Sequence, residues 1–416
     1  MNDFVVSQTP PALPVRRNTV LLAATLAVNS AVLQLVAAVS SLTFVLVTGV
    51  RGLLGLGPAI FLTASALTAV PAGRLMDRFG RIPVVSVGFA VGAIGCGLTA
   101  LATRSDSTLL VIAGFVLIGV VSATSLLIRT AAGDMYPTEH RARGISYVLF
   151  GSVFGAILGP TLFSPMFAGK DVAVRSLTVP WVAAGGTALV ALALVQFVRP
   201  DPKRIGELIG NVGHEPPVAA APLSEIVRRP GVIPAMLAAL ASFGVMVSVM
   251  NLTGYVVVEH HHHHQDSVFP IISAHVVGMY ALVLVIGAVI DRVGRKPALE
   301  VGLVVMALST IGLLWTASVF ATAVLLLALG IGWNISFVAA TAQLADCTSP
   351  VERGKLLGFN DQLASFLGAG LALLGGYALD AIGVAALAIG ATVIVASPIL
   401  LIALPRAAAP PVREPA

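Results

Sequence analysis

"GRLMDRFGRIP", Gly73 to Pro83, returns later in the chain as "GAVIDRVGRKP", Gly287 to Pro297. Both stretches carry Gly-x-x-x-Asp-Arg-x-Gly-Arg followed by a proline. A second pair repeats more loosely: "DMYPTEHRARG" from Asp134 and "DCTSPVERGK" from Asp346. The first pair is offset by 214 residues and the second by 212. Two unrelated motifs that share one offset mean a duplicated unit. The polar stretch near 199–229, with "RPDPKR" and "HEPP", is then the joint between an N-terminal half, 1–198, and a C-terminal half, 230–416.

Each half is built of apolar runs. Of the 416 residues, 57% are hydrophobic and 10% charged, far from the quarter charged of a soluble domain. Crossing a bilayer takes about 20 apolar residues as a helix. Twelve runs meet that length, near 19–45, 53–73, 84–103, 108–128, 145–167, 177–198, 231–254, 269–290, 298–317, 319–341, 356–379 and 384–404. The expected fold is therefore an all-α integral membrane protein of twelve transmembrane helices in two six-helix halves. The run from Thr19 is too long for a cleavable signal segment and reads as the first span.

Basic residues gather at alternate loops. With a cytoplasmic N-terminus, the positive-inside rule places 20 of the 24 Lys and Arg residues on the inner side, leaving Arg51, Arg104, Lys170 and Arg175 outside. Both termini and the 199–229 linker are then cytoplasmic. The net charge of +5 is a topological signal and implies no nucleic-acid partner.

At the doubled loop the chain resembles the major facilitator superfamily, whose halves carry this motif between spans two and three and between spans eight and nine. The resemblance covers nearly the whole chain. It implies a major facilitator fold, alternating access, and a gating role for Gly73, Asp77, Arg78, Gly80 and Arg81 and for Gly287, Asp291, Arg292, Gly294 and Arg295. Glycines permit the tight turn, and the carboxylates can accept from helix amides or pair with arginine. "GSVFGAILGP", Gly151 to Pro160, resembles a span-five motif of antiporters in that superfamily, and close helix packing explains its small residues equally well.

Two further motifs concern cargo. "MVSVM" in span seven sets Met246 and Met250 four apart, and "HVVGM" in span eight sets His275 and Met279 four apart. That spacing keeps each pair on one helical face. Counted inward at about 1.5 Å per residue, Met250 and His275 form an outer rung, and Met246 and Met279 a deeper one. Thioether and imidazole without carboxylate is a soft set that favours Cu(I), and an imidazole inside a span is a functional candidate by default. Between the spans, His260, His261, His262, His263 and His264 form a tract able to collect metal from an outer loop.

These motifs in a major facilitator frame resemble the CcoA-like copper importers of the bacterial inner membrane, which supply copper for cytochrome oxidase assembly. The resemblance implies copper as cargo, the lipid bilayer as environment, a cytosolic copper acceptor and a monomer, with no resident cofactor. Known members use several cysteines, whereas this chain has two, Cys96 and Cys347. Asp361 is the best intramembrane carboxylate for coupling, expected about one turn into span eleven, and Asn334 is a candidate to line the cavity or to bond between helices. No nucleophile arrangement or phosphate-binding Gly-Lys-Ser motif is present, so an enzyme is not expected. Three functions fit: a copper importer, a proton-coupled carrier of a small organic solute, and a copper sensor that binds without transport.

Overall fold

The computed structural model describes residues 13–137, 140–168, 173–209 and 221–403. The termini and the middle of the linker expected at 199–229 lie outside the described residues. Twelve segments match the twelve apolar runs. In the first half they are α1 Val15–Thr48, α2 Leu56–Phe79, α3 Arg81–Ser105, α4 Thr108–Leu126, α5 Arg141–Phe167 and α6 Thr178–Gln196. In the second half they are α7 Val232–Tyr255, α8 in two pieces, Val268–Tyr280 and Val283–Val293, α9 Arg295–Gly312, α10 Val319–Asp346, α11 Pro350–Ala381 and α12 Val384–Ala403.

Eleven of these helices are long and apolar enough to span a membrane on their own, and α8 joins them as a broken span bent by 48°. A continuous helix was expected over 269–290. At the break the Asn334 side-chain amide donates to the Met279 carbonyl, which the broken ladder leaves without its helical partner.

The duplication is visible in the packing. Within the first half α1 lies on α5, α2 on α4, and α3 on α4 and α6. The second half repeats this with α7 on α11, α8 on α10, and α9 on α10 and α12. Between halves α1 meets α7, α2 meets α11 and α5 meets α8. Adding six to each number maps this set of contacts onto itself, as a pseudo-two-fold relation requires. The helices on that axis, α1 and α7, are the most enclosed, with 83% and 72% of their apolar windows buried against 33–56% elsewhere.

The span-five glycines serve packing. A Cβ on Gly151, Gly155 or Gly159 would run into Ala23, Ser30 or Gln34 of α1, so the four-residue spacing lets α5 lie directly on α1.

Candidate functional site

The two sequence echoes become one structure in each half. Gly80 and Gly294 adopt φ of +99° and +97°, where a side chain would be strained, and start α3 and α9 in register with the preceding helix. The next residue, Arg81, donates from Nη1 to Asp77 at 2.7 Å and from Nε to Asp134 at 2.7 Å. Arg295 repeats the fork, to Asp291 at 2.5 Å and Asp346 at 3.1 Å. The loose echo thus supplies the second carboxylate of each arginine. Gly73 and Gly287 face open space, Arg78 lies over the Phe79 ring, and Asp77, Arg78, Asp291 and Arg292 are exposed.

The two ends of the linker also dock. Asp201 accepts from the backbone amides of Arg81 at 3.1 Å and Ile82 at 2.8 Å, capping α3 from outside, and Lys203 donates to the Asp77 carbonyl. At the other end Arg229 binds both oxygens of Glu352 at 2.7 and 2.9 Å and reaches the Cys347 carbonyl. This guanidinium holds the Glu352 carboxyl down at about 2.

A single ion pair joins the halves among the described residues. Arg129, in the short helix Ile128–Asp134 that extends α4, pairs with Asp361 of α11. α11 begins at Pro350, so Asp361 lies about three turns from the start of the helix and about two turns into the apolar span that begins at Gly354. The two side chains are 31% and 35% exposed. A charge pair within spans is tolerated where it faces the protein interior or water. Toward the opposite face the halves meet through neutral groups. Ser41 donates to the Asn251 carbonyl, Gln265 to the Ala38 carbonyl and Ser273 to the Gln34 amide oxygen, while Phe163 and Phe167 pack on Phe269.

The Met and His residues fall inside the second half. Met246, His275 and Met279 are buried and Met250 is half-buried. Chain order does not make their helices close packing neighbours: α7 touches the first piece of α8 only narrowly, and both pack on α10. The reason is steric, since Gly278 and Gly330 let the α8 and α10 backbones approach so closely that no side chain fits between them. His275 Nδ1 bonds the Leu326 carbonyl of α10 at 2.8 Å, and its Nε2 is buried without a partner.

The histidine tract is less of a free loop than expected. α7 continues through a π-helical turn, Val256–His260. His263 bonds the Ala317 carbonyl at 2.7 Å, His260 lies edge-on to Tyr255, and His262 and His264 are exposed. His261 borders a cavity of about 30 Å³ with Thr253 and Thr322, room for about one water beside the unpartnered His261 Nδ1 and Thr322 Oγ1. Burial, then the neighbouring imidazoles, push His261 below the usual histidine range. Among the described residues no three His, Cys, Asp or Glu side chains are grouped to hold a metal. Cys96 is buried and Cys347 half-buried, and no disulfide links them.

Sequence reading passed over Arg129 except as a topological charge, and passed over Gln34, Tyr280, Trp333 and Phe337 altogether. A signal existed for Arg129 alone, an arginine set in the apolar stretch before Asp134.

The model of the Major Facilitator Superfamily matches residues 19–283 and 259–416. The uncharacterized MFS-type transporter YdeG of Bacillus subtilis is 31% identical over 337 residues, 79% of this chain and 77% of its own length. The riboflavin transporter RfnT of Brucella anthropi is 30% identical over 368 residues, 84% of this chain and 86% of its own. Among solved structures, the xylose transporter XylE from E. coli, in a partially occluded inward-open conformation, superposes with a TM-score of 0.67 at 14% identity, covering 93% of this chain and 97% of that one. The chain belongs to the major facilitator superfamily; it is a multi-pass membrane transporter and no enzyme.

Proposed function

We propose that this transporter moves a small organic solute across the bacterial inner membrane by alternating access, with the arginine-rich face and both termini in the cytoplasm and the boundary between halves near 199–229. The observation that carries the reading is the Arg129–Asp361 pair, an exchangeable charge contact between the halves inside the spans. Rocking the halves apart on this side separates the pair and leaves Asp361, a carboxylate within a span, as the coupling residue. The doubled loops act as the gate on the same face. Similarity to a riboflavin transporter over most of both chains supports an organic cargo.

The test is proteoliposome uptake of labelled organic solutes, riboflavin first, under an imposed proton gradient. Asp361→Asn is expected to abolish gradient-driven accumulation while leaving solute exchange intact. Accumulation at the wild-type level in that variant would overturn the coupling role.

A second reading, copper import for cytochrome oxidase assembly, is favoured by His275. Its Nδ1 is held by the Leu326 carbonyl and its buried Nε2 is unpartnered, the form in which imidazole binds metal. In that reading Met246, Met250, His275 and Met279 carry the ion, the tract His260 to His264 collects it, and a cytosolic acceptor receives it. Radioactive copper uptake separates the readings. Saturable copper flux lost in Met246→Leu, Met279→Leu would replace the organic reading, and copper binding without flux would point to a sensor.

A further inference from the structure

The aromatic rings of the second half bear on what kind of solute an organic-solute carrier of this build takes. Trp333 and Phe337, one turn apart on α10, lie nearly parallel, with centroids 4.9 Å apart and planes at 17°. Tyr280, the last residue before the α8 break, meets Trp333 edge-on at 6.2 Å, and Phe243 of α7 continues the series beyond Phe337 at 6.3 Å. Three helices thus contribute to one run of rings. Tyr280, Phe243 and Phe337 are half-buried.

A second ring cluster, in the first half, shows what mere core packing looks like. There Phe44, Phe115 and Trp181 are all buried, and the Trp181 indole N–H donates to Thr43 Oγ1 at 3.1 Å. Trp333 is also buried, yet its indole nitrogen has no partner, and neither does the amide oxygen of its neighbour Asn334. A buried donor left unpaired is costly, and packed interiors rarely keep one. A flat ring system stacked on this run, with a carbonyl or ring nitrogen at its edge, satisfies the indole and extends the stack.

We infer that Trp333 and Phe337 form the stacking wall of the substrate site, and that the solute is a planar aromatic or heteroaromatic molecule whose hydrogen-bond acceptor meets Trp333 Nε1. The inference rests on the organic-solute reading and deepens it. Trp333→Phe keeps a ring and deletes the donor; Phe337→Leu keeps bulk and deletes the stack.

Equilibrium dialysis of the purified full-length protein in lipid nanodiscs tests it, with riboflavin, a flat tricycle bearing carbonyls, 4-hydroxybenzoate, a single ring, and xylose, which has no aromatic ring. Saturable binding of at least one flat probe is expected, with xylose not retained at the same concentrations. Each substitution should weaken the flat probe by up to about tenfold, while Trp315→Phe, at an exposed position, should leave binding unchanged. Failure of both flat probes to bind, or wild-type affinity in Trp333→Phe and Phe337→Leu, overturns the inference. In vesicles, saturable uptake of xylose without either flat probe overturns the ring wall and leaves the organic-solute reading standing; uptake of copper alone overturns both.

Discussion

The loop at Gly73–Pro83 and its copy at Gly287–Pro297 make the same two-carboxylate fork and differ in their surroundings. Arg81 and Asp134 are 11% and 13% exposed, whereas Arg295 and Asp346 are 30% and 59% exposed. The first fork is covered by Asp201 and Lys203, which belong to the linker and occur once in the chain. Duplicated sequence therefore yields duplicated bonding but unequal desolvation. An ion pair taken out of water is strongly coupled to the fold, while a solvated one is nearly free to break. The first-half loop is built as a fixed anchor and the second-half loop as the more easily released one.

The sharpest way to break this comparison is to neutralise the equivalent carboxylates. Asp134→Asn leaves Arg81 short of a buried partner and should cost about 3 kcal/mol, whereas Asp346→Asn should cost less than about 1 kcal/mol. Thermal unfolding of the purified variants in detergent measures both, and equal shifts in midpoint would show that burial does not separate the two forks. A smaller effect tests the cause. Asp201→Ala removes the external cap on Arg81 and Ile82 and should cost roughly 1 kcal/mol. It should also raise hydrogen exchange at the start of α3 toward the level at the start of α9. Unchanged exchange there would remove the linker from the explanation.

The smallest effect lies at the linker's other end and depends on pH. Glu352 is held at about 2 in the folded protein, below its ordinary value, so its contribution is fully present above the ordinary carboxylate range. It is lost as pH falls from there through about 2. Protection of the 221–230 amides, taken as the exchange rate relative to the intrinsic rate at each pH, should be high at neutral pH and fall across that acid window. In Glu352→Gln the protection should be lower at neutral pH and nearly constant with pH. A flat profile in the wild type would show that the Arg229 clamp does not hold the segment.

Much of this architecture can be read along the chain. Twelve apolar runs gave twelve segments because burying backbone in lipid demands internally bonded helices about 20 residues long. The paired motifs disclosed the halves, and the arginine–carboxylate chemistry of the doubled loop was legible because Asp77 and Arg81, and Asp291 and Arg295, sit four residues apart on one helical face. The break in α8 was not legible: it has no proline or glycine at Ala281 or Leu282, and the amide that caps the Met279 carbonyl comes from Asn334, 55 residues away.

The candidate site divides the same way. Asp361 stood out as a carboxylate in an apolar run, but its partner Arg129 is 232 residues distant, and no local pattern pairs them. Chain order sets the spans of Met246 and Met279 side by side, yet α7 packs mainly on α11 and α10, and the first piece of α8 mainly on α10. The sequence by itself determined the number of spans, their duplication and the doubled charged loop, since hydropathy, repeat offset and four-residue spacing are properties of neighbouring residues. Which spans abut, which ion pair joins the halves and which indole is left without a partner were decided only in the tertiary structure. Among helices that are all apolar, close approach at small residues and the fit of individual side chains select the neighbours.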